Sequence, residues 1–269
     1  MELRHSNFIL FLATFSIFWA NSVFAQTLPD ERDSQPPTGP MPFVQSIELL
    51  DVSGEFVDAS FEFFPVGSSG AHLSLATGQI DEIVRDPRDP QPPMTGKPNQ
   101  ILWWDLDLKV TVSPNDIDTA TGRPREPVML AIDKDVINQT RFHWTDFHMT
   151  LGMRRPDGSF MESDEFDFLF FKDDPPPMEK QGLFENPPMK DEPVAPDNLW
   201  WFWNPGKGFP GVKPGDLAIF WMGIQIPPHK FENGMARFVL REHASIPEPA
   251  TLALLASSGI ALLLRRRLV

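Results

Sequence analysis

The sequence predicts an all-β fold, an antiparallel β-sandwich of immunoglobulin-like or jelly-roll type, and three observations carry that expectation. Residues 101–112 alternate strictly, with Leu102, Trp104, Leu106, Leu108, Val110 and Val112 on one phase and Trp103, Asp105, Asp107, Lys109 and Thr111 on the other. That is the period of a half-buried antiparallel strand. About nine or ten short apolar stretches, separated by turn residues and without a fixed-period repeat, suit a sandwich. No stretch of useful length shows the 3.6-residue period of an amphipathic helix.

Taken in order, residues 43–244 form the folded part. Ile47–Val52 and Glu55–Val57 read as short strands broken at Ser53-Gly54, and Ser60–Phe64 as another, ended by Pro65 and Gly67. Residues 86–98 (DPRDPQPPMTGKP) form a loop, because proline removes a donor and fixes φ. After the long strand, Ser113-Pro114-Asn115-Asp116 is a stop. Val128–Ile132 is a shorter apolar segment, and Phe142–Met153 alternates with a change of face near Thr145-Asp146. Pro156-Asp157-Gly158 is a hairpin turn leading to Phe160 and then Phe166–Phe171. Residues 173–197 form a second long loop, of a length that is usually functional or disordered. Leu199–Trp203 follows, then Leu217–Ile226, which is apolar on both phases as a central strand is, and Asn233-Gly234 signals a hairpin into Ala236–Leu240.

The flanks carry a different signal. Residues 1–25 hold a short polar start with Arg4, an apolar run from Phe8 to Ala20, and Val23-Phe24-Ala25 before Gln26. These are the parts of a secretory signal peptide, cut by signal peptidase between Ala25 and Gln26. Residues 26–42 are polar and proline-rich, a disordered leader. In residues 245–269, Pro247-Glu248-Pro249 precedes the apolar run 250–264, which ends on Arg265-Arg266-Arg267. The run is short of the ~20 residues a relaxed helix needs to span a bilayer. Its arginines make a charged stop on the cytoplasmic side, and the prolines mark a sharp helix entry.

Motif, apolar helix and basic cluster together resemble the PEP-CTERM sorting signal of bacterial exosortase substrates. The resemblance covers only this tail. It implies transient anchoring in the inner membrane through residues 250–264 and processing by exosortase. It further implies delivery to the envelope, cell surface or an exopolysaccharide-rich extracellular matrix.

Composition limits what the passenger can do. Glu2 balances Arg4 in the leader and Arg265–Arg267 contribute +3 to the chain's formal −14, so residues 26–249 carry −17. An acidic surface argues against a nucleic-acid partner. With no cysteine, disulfides, thiolate metal sites and a cysteine nucleophile are excluded. No G-x-S-x-G elbow, H-E-x-x-H or glycine-rich phosphate loop occurs, and no cofactor is implied. His143 and His148 lie an odd number of positions apart, so a regular strand points them to opposite faces.

Asp105 and Asp107 share a face, as a glycosidase acid pair or a weak calcium site would, although clustered acids in an acidic protein are usually a solvated face. Trp103, Trp200, Trp201 and Trp203 could stack on sugar rings, or fill the core as large aromatics commonly do. The expectation is a non-enzymatic exported protein of the surface or matrix. The alternatives are a carbohydrate-binding module using exposed tryptophans and, behind it, a glycan hydrolase.

Overall fold

The computed structural model describes residues 41–66, 75–87, 100–163, 165–169, 178–179, 183–190, 198–202 and 204–246, all within the unit Ser34–Val269. The expected signal peptide 1–25, most of the expected leader 26–42, most of the loop 86–98, Trp203 and the tail from Pro247 onward lie outside the described residues. In chain order the strands are β1 Val44–Val52, β2 Val57–Phe64, β3 Ala76–Arg85, β4 Gln100–Val112, β5 Ile117–Asp118 and β6 Arg123–Pro124. They continue as β7 Val128–Gln139, β8 Asp146–Arg154, β9 Phe160–Glu162, β10 Asp167–Leu169 and β11 Met178–Glu179. The last four are β12 Glu185–Lys190, β13 Asn198–Phe202, β14 Leu217–Ile226 and β15 Met235–Ser245. Among the described residues there is no α-helix, as the missing helical period predicts.

Two sheets share one apolar core. The first runs β1-β4-β15-β8-β13-β12, with β9 beside β8; the second runs β10-β14-β7-β3-β2, with β11 beside β14. The alternation of β4 is realised as read: Leu102, Trp104, Leu106, Leu108, Val110 and Val112 are buried between the sheets. Leu217–Ile226 is an interior strand, lying between β7 and the β10 and β11 segments. Rings from both sheets interlock across the core. Trp104 packs against Phe56 and Phe147, Phe147 stacks on Phe220 with centroids 4.7 Å apart, and Trp201 meets Phe220 at 4.9 Å.

Several expectations are corrected. The sandwich is not wholly antiparallel, because β3 pairs with β7 in parallel. The chain leaves the second sheet after β3, forms β4 in the first, and returns to lay β7 in the same direction. The break at Ser53-Gly54 is where the chain passes from β1 in the first sheet to β2 in the second. The Asn233-Gly234 turn, by contrast, carries the chain from β14 to β15 between the sheets instead of closing a hairpin within one. Asn233 and Gly234 do supply the positive φ values, 50° and 76°, that a tight two-residue turn requires, and Glu232 and Met235 exchange both backbone hydrogen bonds across it. The hairpin at Pro156–Gly158 does join β8 to β9. At Gly152 on β8 a Cβ would sit 2.3 Å from the Met161 carbonyl oxygen, so the close approach of β9 requires glycine. The stretch 173–197 is not a plain loop, since it contains β11 and β12. β12 carries Pro187 and Pro188 and ends the path of its sheet, where prolines without an N–H are tolerated.

Candidate functional site

The outward face of the β4-β15-β8-β13 sheet collects the polar and aromatic residues. Register places Trp103, His243, His148 and Trp200 in one row across four strands. The next row is Asp105, Arg241, Thr150 and Asn198, and the one after it Asp107, Val239, Gly152 and Glu162, the last from β9. Three strand spacings separate the two tryptophans, about 14 Å.

These rows form a bonded layer. Arg241 donates from Nε to Asp105 Oδ1 (2.5 Å) and from a terminal nitrogen to Oδ2 (2.8 Å), the bidentate geometry that suits a guanidinium to a carboxylate. Its guanidinium carbon lies 4.6 Å from the Trp103 ring centroid and 4.0 Å from that of Phe160, a doubled cation–π contact. Arg154 grips Asp107 through two nitrogens and reaches Asp105 Oδ2 at 2.6 Å. The Asp107 hydrogen bond is the main cause that raises the Arg154 pKa above its ordinary value. Thr150 donates to Asn198 Oδ1, and Asn198 donates to Glu162. His148 Nδ1 and His243 Nε2 are 2.5 Å apart with their rings nearly perpendicular, and the Trp200 ring packs 4.0 Å from His148. One proton serves such an imidazole pair, one nitrogen donating and the other accepting.

A second polar cluster lies inside the sandwich. Lys134 on β7, Glu82 on β3 and Glu242 on β15 are fully buried. The Lys134 ammonium contacts Glu82 directly and stands 2.9 Å from Glu242 Oε1. Trp104, directly opposite Glu242 in the β4–β15 register, donates from its indole nitrogen to Glu82 Oε2 at 3.0 Å. The triad therefore bridges both sheets. Burial first, and then the neighbouring Glu82 charge, push the Glu242 pKa well above the usual carboxylate range.

Of the residues singled out in the sequence, Trp103 and Trp200 reach the outward face, both half-buried. Trp201 is in the core against Phe220 and offers no platform; Trp203, Pro247, Glu248, Pro249, Arg265, Arg266, Arg267, Ala25 and Gln26 lie outside the described residues. Asp105 is fully buried, and Asp105 and Asp107 are both held by arginines, which disfavours calcium at that pair. Among the described residues no group of three or more histidine or acidic side chains could hold a metal ion. His148 does not act with His143, which meets the Pro210 carbonyl oxygen at 2.6 Å, but pairs with His243.

β15 ends at Ser245, whose backbone N–H donates to Asp146, and Ile246 is still buried. Residues 245–267 match the family model described as the PEP-CTERM protein-sorting motif. The chain carries a PEP-CTERM sorting motif. That motif marks an exported, exosortase-sorted protein of the surface or envelope. No curated protein and no solved structure matches the chain. The PEP-CTERM motif thus takes over directly from a strand bonded on both sides, to β4 and to β8.

Proposed function

We propose that this PEP-CTERM protein is a non-enzymatic component of the cell surface or exopolysaccharide matrix. It would be exported by its signal peptide, held transiently in the inner membrane by residues 250–264, and released to its destination by exosortase. The sorting motif is the observation that carries the reading. The arginine pairing of Asp105 and Asp107 supports it, because the best-placed acids are engaged in structure instead of being poised for hydrolysis. Replacing Arg265–Arg267 or Pro247–Pro249 should leave full-length precursor in the inner membrane, while the parent chain loses residues beyond the motif and leaves that membrane. Intact mass and fractionation in the native host check this, and normal processing of both variants would reject it.

A second reading, polysaccharide binding, is favoured by Trp103 and Trp200 standing at the two ends of one row on a single sheet face. Matrix polysaccharide should then quench tryptophan fluorescence, and Trp103→Ala with Trp200→Ala should weaken binding by about tenfold or more, since aromatic contacts contribute about 0.5–1.5 kcal/mol each beyond area burial. Unchanged affinity in the double variant would remove these residues from any sugar site.

A further inference from the structure

We propose that the core triad is a self-modification site, at which the Lys134 amine condenses with the Glu82 carboxyl to form an intramolecular amide, with Glu242 carrying the proton. The three groups are already assembled for that step. Lys134 and Glu82 lie on the paired strands β7 and β3, with Lys134 opposite Ile80 and Glu82 two residues further along the same face. The amine and carboxyl are in direct contact, and buried groups held at contact react with the advantage of an intramolecular reaction. The Trp104 indole N–H on Glu82 Oε2 is placed to hold that oxygen as negative charge develops on it. Glu242 approaches the amine from the other sheet, its Oε1 2.9 Å from Nζ, which puts a second carboxyl within reach for proton exchange. Because its carboxyl stays protonated well above the usual range, it has a proton to give.

The step balances without an oxidant or a co-reactant. In the first step the ammonium passes a proton to Glu82 Oε1, leaving a neutral amine and a neutral acid. The Nζ lone pair attacks the Glu82 carboxyl carbon, and Oε2 carries the negative charge. Glu242 gives its proton to the departing Oε1 hydroxyl and takes one from the nitrogen, ending as it began. The C–O bond breaks, water leaves, and ammonium plus carboxylate have become amide plus water. The driving force is electrostatic, since a buried ion pair bears a desolvation penalty that a neutral amide largely avoids. For an exported chain with no cysteine, such a bond would supply the covalent tie that disulfides give elsewhere, joining β3 to β7.

The test is mass spectrometry of the exported chain under denaturing conditions. Each proteoform should be lighter than its sequence by one water. Digestion should yield a branched peptide joining Lys134 to Glu82, with trypsin unable to cut after Lys134. Glu242→Gln should keep the fold and accumulate the unreacted form, and Lys134→Arg should lose the mass deficit entirely. Linear peptides ending at an unmodified Lys134 in the parent chain would overturn the proposal. So would a branch at a different carboxyl, or complete bond formation in Glu242→Gln.

Discussion

Lys134→Ala is expected to destabilise the sandwich by about 3–5 kcal/mol, the loss typical when one partner of a buried ion pair is removed. Lys134 is fully buried between two carboxyl groups, so its deletion leaves Glu82 without its cation and beside a second acid, and opens a cavity as well. An amide at Lys134 would enlarge the loss, because the variant then lacks a covalent tie too. Glu242→Gln keeps the contact between Lys134 and Glu82 and replaces a carboxyl whose pKa burial and Glu82 raise well above the usual range. It is therefore expected to cost less than Lys134→Ala, any amide being lost in both variants alike. Denaturant unfolding of the two variants side by side checks the ordering, and equal losses would contradict the assignment of the charge to Lys134 and Glu82.

The same site sets a pH dependence. A carboxyl whose folded pKa is raised binds its proton more tightly in the folded state, so stability falls as pH rises. The contribution of Glu242 is complete below its ordinary value of 4.5 and declines above it. It is gone once pH passes the folded value. In Glu242→Gln that decline should flatten, which unfolding midpoints measured from about pH 4.5 upward would show.

The signals for these features were present in the chain to different degrees. β4 was legible because one face of it packs on the core and the other does not, which writes a period of two into residues 101–112. β3 was missed because Gly78 and Glu82 stand on its buried phase and Ile83 on the other, and because its partner β7 is remote in sequence. The triad left a local trace. Lys134 falls on the phase of Leu130, Ile132 and Val136, Glu82 on that of Ile80 and Val84, and Glu242 on that of Phe238, Leu240 and Ala244. Each is a charge where an apolar residue belongs, and a sequence can show that much without showing that the three meet. The His148–His243 pair left no such trace, because it exists only through the register between β8 and β15. Trp201 and Trp200 were separable by phase, but which phase faces the core depends on the partner sheet.

Trp104→Ala should lower stability by about 3–5 kcal/mol, the usual range for deleting a buried tryptophan. The ring is fully buried and touches Phe56, Trp144 and Phe147, so most of the loss is packing. Trp104→Phe separates the second contribution. Phenylalanine keeps much of the aromatic contact but cannot donate to Glu82 Oε2, and an unsatisfied buried acceptor costs about 1–3 kcal/mol. If the indole N–H matters only to packing geometry, the two variants should differ by their volumes alone. If it orients the Glu82 carboxylate, Trp104→Phe should deprive the amide-forming step of its oxyanion donor. Unfolding curves give the first readout and the fraction of branched Lys134 peptide the second. A Trp104→Phe variant that forms the bond as fully as the parent would assign the indole to packing only.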